Sequence, residues 1–220
     1  MMKSSGNIDD NQFRCEVEAD LRDAIEHGIL VSILARKLSE ELGKDEQFCY
    51  DMSVAGLLHD IGKMKLSRYL YWRRDDSLEI EEMKYVRLHS KLSYEILKDK
   101  GYSDTVLDAI HYHHENYDGS GYPNNLKDED IPEGARILRA CDVFAALVTD
   151  RPYRTAFDMN TAIELMIEEV RNFDLAIFMA FQNMVNYNDF TDIVYNGLFE
   201  NEDTIDEYIK LCLEEYDEER

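Results

Sequence analysis

Apolar residues recur at helical spacing along most of the chain. Leu21, Ile25, Ile29 and Ile33 fall every fourth residue and predict a helix over 13–42, with Gly43 as its stop. Asp45 is the predicted N-cap of a second helix carrying Phe48, Met52 and Ala55, which ends near His59–Asp60 and is broken by Gly62. A short helix is expected over 67–74. Asp76, with Glu79 three residues on, reads as a capping box for a helix to about Lys100. Met83, Val86, Ser90 and Leu97 lie along its inner side, and Gly101 ends it. Ser103 caps the next helix, with Val106, Ile110 and His113 at helical spacing. Pro132 suits the first position of a helix that runs through Asp142 to about Thr149. Two further amphipathic helices are expected near 159–170 and 174–187. No segment sustains the period-two alternation of a strand, so the predicted class is all-α.

The texture changes between these helices. Residues 115–134 hold Gly119, Gly121 and Gly134, and all three prolines, Pro123, Pro132 and Pro152, fall within 123–152. Such a long loop, shaped by special residues, is more often functional than idle.

Composition bounds the rest. With 220 residues, 45% apolar and 11% aromatic, the chain can fill one core. Its net charge of −23 argues against binding long nucleic acid or anionic lipid through phosphate neutralisation. The longest apolar runs, such as Leu175 to Phe181, are too short to span a membrane, and the opening MMKSSGNIDDNQF lacks the apolar stretch of a signal peptide. Cys15, Cys49, Cys141 and Cys212 are scattered singly and read as reduced thiols of a cytoplasmic protein. Residues 1–12 read as a loose polar arm. Residues 199–220 carry ten acids against two bases, yet Ile205, Ile209, Cys212 and Leu213 make an apolar stripe there. That segment reads as a solvated acidic helix or, alternatively, as a helix that docks on a partner or a second copy.

The six histidines all lie between residues 27 and 114. His59 and Asp60 are adjacent, as are His113 and His114. His27 and His89, taken singly, read as satisfied core histidines. Asp142 sits in ILRACDVFAALV, where a buried carboxylate needs a cation or strong donors. Together His27, His59, Asp60, His89, His113, His114 and Asp142 make a donor set too large for one ion and suited to two. Imidazole and carboxylate without thiolate favour iron, manganese, zinc or nickel over calcium or magnesium.

HDIGK at 59–63, HHENYDGSGYP at 113–123 and DVFAALVTDRPYR at 142–154 resemble the HD-GYP family of bacterial signalling phosphodiesterases. NFDLAIFMAF at 172–181 is similar to the family's closing helix, with Leu175 in place of its usual proline. The resemblance implies an HD-type helical bundle over 13–190 with a long GYP loop, followed by an acidic helical extension at 191–220. It implies a site of two or three iron or manganese ions held by the seven residues named above, with Asp60 as the bridge. The implied reaction is hydrolysis of cyclic di-GMP to pGpG, and on to GMP, through a hydroxide held between the metals. Lys63 would contact the scissile phosphate, Arg151 and Arg154 would bind substrate phosphate, and Tyr122 belongs to the GYP turn. A third ion would need Asp23, which stands where the family usually has Glu. His111 matches no motif position and reads as a surface histidine. Glu115 reads either as an acceptor orienting a ligating imidazole or as a surface carboxylate. Alternatives are an inactive cyclic di-GMP receptor or interaction module, and a phosphohydrolase for another cyclic dinucleotide. Expected protein partners are a second copy, or a cyclase or regulator meeting the GYP loop or the acidic tail.

Overall fold

The computed structural model describes residues 10–63, 87–150 and 154–186, with side chains from residue 21 onward. Seven α-helices run through them: α1 (Asp10–Glu41), α2 (Glu46–Leu58), α3 (His89–Leu97), α4 (Asp104–Tyr112), α5 (Glu133–Val148), α6 (Met159–Glu168) and α7 (Leu175–Val185). No strand occurs among the described residues. None of the described helices is long and apolar enough to cross a membrane. The helices expected over 67–74 and from Asp76 to residue 86, Arg151, and the extension at 191–220 lie outside the described residues.

Local signals set most helix ends. Asp45 accepts a hydrogen bond from Phe48 N at 2.8 Å, and Ser103 accepts one from Val106 N at 3.3 Å, as their spacing predicts. Asp158 and Asp174 cap α6 and α7 in the same way. Three boundaries differ from expectation. Helix α1 starts at Asp10, inside the predicted polar arm. Pro132 is the N-cap of α5, one residue before its expected place. The chain leaves α2 at a turn formed by His59 and Asp60, and Gly62 lies within the next helical stretch at 61–63.

The core is built where α1 packs against α2, α5 and α7, and where α4 joins α2, α3 and α5. Along α1 the buried positions are Leu30, Val31, Leu34, Ala35 and Leu38. The predicted stripe of Leu21, Ile25, Ile29 and Ile33 lies on the half-buried flank. Between Gly28 and Ala35 only Ser32 is polar, so spacing alone did not select the face that meets α2. That face carries His27 inward with it.

Close backbone approach explains two glycines. A Cβ on Gly56 would lie 2.7 Å from the Ser32 backbone of α1. One on Gly62 would lie 2.3 Å from His89 O at the start of α3. The α1–α2 pair and the turn after α2 are thereby held tightly against their neighbours.

Candidate metal centre

Five elements deliver the seven predicted donors to one buried place. His27 comes from α1, His59 and Asp60 from the turn ending α2, His89 from the first position of α3, His113 and His114 from the end of α4, and Asp142 from the middle of α5. His89 therefore opens its helix rather than lying mid-helix, because Arg87 and Leu88 form a turn ahead of it. His27, His59, His89 and His113 are buried, and Asp142 is 9% exposed.

The donors fall into two groups joined by a carboxylate. In the first, His27 Nε2 lies 3.0 Å from Asp142 Oδ1 and His59 Nε2 lies 3.6 Å from the same oxygen. In the second, His89 Nε2 is 3.3 Å from His113 Nε2 and 2.9 Å from His114 Nε2. Asp60 stands between them, with Oδ2 3.3 Å from His59 Nε2 and Oδ1 3.2 Å from His89 Nε2. Lys63 Nζ approaches Asp60 Oδ2 at 2.5 Å from the half-exposed side.

Tautomer geometry shows that these donors fit a cation. His59 Nδ1–H donates to Gly56 O at 2.8 Å, and His113 Nδ1–H donates to Ile110 O at 2.7 Å. In the neutral form of each ring Nε2 is then a bare lone pair aimed inward. His59 Nε2 and Asp60 Oδ1 are buried with no hydrogen-bond partner among the described residues. Orphaned acceptors facing one another are costly unless a positive charge sits among them.

The electrostatics agree. Burial alone would lower the His59 pKa, but the carboxylates of Asp60 and Asp142 outweigh it and push it up to about 10. Burial would raise Asp60 and Asp142, yet the neighbouring imidazoles, with Lys63 beside Asp60, hold both well below the carboxylate range. At the other end burial lowers His113 strongly and brings His114 down to about 3, so those imidazoles are neutral donors. In the metal-free chain a proton on His59 takes the place of a cation.

The GYP loop is anchored to this centre. Tyr122 stacks on His114, with ring centroids 4.7 Å apart and planes 25° apart. Burial keeps its phenol protonated by raising its pKa. A Cβ on Gly121 would lie 2.2 Å from Asn116 N, so the loop folds back on the chain just after the paired histidines. Glu115 fills neither predicted role. It is buried, and its carboxylate accepts from Asn124 N at 2.6 Å and Leu126 N at 3.1 Å, clamping the loop after the Tyr122–Pro123 bond.

Other predicted residues lie apart. Asp23 is exposed and joins none of the donor groups among the described residues. The Arg154 guanidinium donates to the carbonyls of Ala146, Leu147 and Thr155 and stacks over Phe157, so its donors close the C-terminal end of α5. His111 is half-buried rather than at the surface, with its ring 4.9 Å from Tyr94, and burial lowers its pKa. Ser93 was not among the predicted site residues, yet its hydroxyl donates to His59 O at 2.7 Å and accepts from Gly62 N at 2.9 Å. Its three-residue spacing from Ser90 along one inner face was the available signal.

Known proteins share this fold. A model of the HD domain matches residues 10–177. The chain is 35% identical over 160 residues to a cyclic di-GMP phosphodiesterase of Pseudomonas aeruginosa, covering 72% of this chain and 38% of that protein. It is 32% identical over 154 residues to a 3'3'-cGAMP-specific phosphodiesterase of Vibrio cholerae, covering 70% and 36%. It thus spans under two-fifths of the length of these curated relatives. Among solved structures, an HDG"Y"P protein from Bdellovibrio bacteriovorus superposes with a TM-score of 0.60 at 21% identity, covering 82% of this chain and 55% of that one. The HD domain of a Listeria monocytogenes phosphodiesterase in complex with cyclic di-AMP superposes with a TM-score of 0.53 at 17% identity, covering 80% and 91%. With the HD pair at the turn after α2 and the family's model matched over three-quarters of its length, the chain belongs to the HD domain family.

Proposed function

We propose that this chain is a metal-dependent phosphodiesterase that opens cyclic dinucleotides, converting cyclic di-GMP to pGpG and then to GMP. The observation that carries the reading is Asp60, set between two groups of inward-facing donors with Lys63 at its outer oxygen. His27, His59 and Asp142 would hold one ion and His89, His113 and His114 the other, with Asp60 available to both groups. Iron or manganese suits this all-imidazole and carboxylate set. Such ions supply an activated water at neutral pH and neutralise charge on a phosphate.

The chain's own residues do the rest. Lys63 brings its ammonium to the rim of the centre, where charge develops on the phosphoryl oxygens. Tyr122 covers the His114 side and presents a protonated hydroxyl. Arg151, from the DRPYR motif, binds substrate phosphate, and Arg154 holds the end of α5 from which that motif leaves. The exposed position of Asp23 supports two ions rather than three. The relatives named above support cyclic dinucleotides as the substrate class, and their two named substrates are the first to compare.

The test is anaerobic purification, metal analysis, and turnover of cyclic di-GMP and 3'3'-cGAMP beside a His59→Ala, Asp60→Ala variant. Two metals per chain, with turnover abolished in the variant, is the expected result. Full metal occupancy without turnover of either dinucleotide would overturn the reading in favour of a receptor.

A further inference from the structure

Acids outnumber bases in this chain by 47 to 24, and most described cations near an acid have taken one. Arg36, Lys44 and Arg136 each form an ion pair, and Lys63 is engaged by Asp60. Arg154 is engaged by three carbonyls. Arg87 and Arg139 differ. Neither has a carboxylate partner among the described residues, yet Arg87 stands beside the GYP tyrosine and Arg139 beside the loop that leads to it.

Arg87 lies in the turn before His89 and is exposed, with its guanidinium 5.4 Å from the centroid of the Tyr122 ring. Arg139 lies on α5, one turn before Asp142, and is half-buried. Its Nε–H donates to Asn116 Oδ1 at 3.0 Å, which leaves both terminal nitrogens with no hydrogen-bond partner among the described residues. Its charge is felt at both His114 and Tyr122. Asn116 is itself tied to Ser120 in the loop. One cation therefore meets the ring that covers His114, and a second, from another element, meets the loop leading to that ring.

Guanidiniums with no carboxylate partner among the described residues of a strongly acidic protein suit an anion, and their planar fork matches phosphate oxygens. The geometry points to Arg87 and Arg139 as the pair that holds the second, unreacting phosphodiester of a cyclic dinucleotide while the first lies at the metal centre. This rests on the proposed function for the identity of the ligand. It makes the two arginines binding residues that set the preference for a two-phosphate ligand over a one-phosphate one.

The test uses the manganese-loaded full chain and equilibrium binding of two linear ligands. One is pGpG with its internal phosphodiester made a hydrolysis-resistant but still anionic phosphorothioate; the other is the same molecule with a neutral methylphosphonate there. Wild type should prefer the anionic ligand by about tenfold or more, the size of one charge-assisted hydrogen bond. Arg87→Gln and Arg139→Gln should each shrink that preference while leaving affinity for the neutral ligand and manganese content unchanged, and Arg139→Lys should restore much of it. Equal weakening of both ligands, loss of manganese, or an intact preference in the variants would overturn the assignment, as would absence of any preference in wild type. A chain that binds and discriminates as expected but hydrolyses no cyclic dinucleotide would refute the phosphodiesterase reading and leave the arginine pair standing.

Discussion

Replacing Gly62 with alanine should damage the metal centre without touching a donor. The new Cβ would lie 2.3 Å from His89 O, 2.7 Å from Ser93 N and 2.9 Å from Ser93 Oγ, where ordinary contact begins at 3.4 Å. Two of the three are backbone atoms of α3 and cannot rotate away. The turn after α2 and the start of α3 must therefore separate by about 1 Å, an overpacking that costs about 1–3 kcal/mol of stability. The same movement draws Asp60 Oδ1 away from His89 Nε2, now 3.2 Å apart, and splits the donor set between its two halves. Metal sites tolerate only about 0.2 Å in ligand distance, and disturbing groups that orient ligands weakens affinity by roughly 10–100-fold. Manganese titration by calorimetry should show a loss of that order, alongside urea unfolding of the metal-free chain. Gly43→Ala is the control. Gly43 has φ +69° with nothing within 4 Å, so alanine there strains the backbone by about 1 kcal/mol far from the donors and should leave manganese affinity intact. Wild-type affinity in Gly62→Ala, or a loss matched by Gly43→Ala, would refute the close-approach argument.

Three other outcomes follow from the same geometry. Ser93→Ala should lower stability by about 1–3 kcal/mol in urea unfolding, because Gly62 N and His59 O lose their buried partner. Arg154→Gln should lower stability by about 2 kcal/mol through the freed carbonyls at the end of α5; a raised KM with unchanged stability would instead give its guanidinium to the substrate. The His59 pKa is raised from 6.5 to about 10 in the metal-free chain, so the stability its proton contributes is complete below 6.5 and lost as pH rises through 10. Since a metal must displace that proton, apparent manganese affinity should rise about tenfold per pH unit within this window, read by titration at stepped pH. A flat profile would mean that His59 is already neutral.

The motifs made the donor residues legible because ligation depends on side-chain type. Caps were legible too, since Asp45 and Ser103 bond backbone groups only three residues away. Glu115 was not. Its partners, Asn124 and Leu126, are reached only because Gly121 lets the loop fold back onto residue 116. Arg154 looks like a phosphate binder in its motif, and only the path of the chain after α5 brings its guanidinium onto the Ala146 and Leu147 carbonyls.

By itself, then, the sequence determined an all-helical chain, where most of its helices begin, and which seven side chains could hold metal. The helices and their starts follow from interactions spanning a few residues, and the candidate donors from side-chain type within the motifs. Tertiary structure decided which face of α1 turns inward, that His27 meets Asp142 across 115 positions, and that Asp60 lies between two donor groups. Those outcomes depend on how closely backbones at Gly56 and Gly62 approach their neighbours, a property of packing that local spacing does not encode.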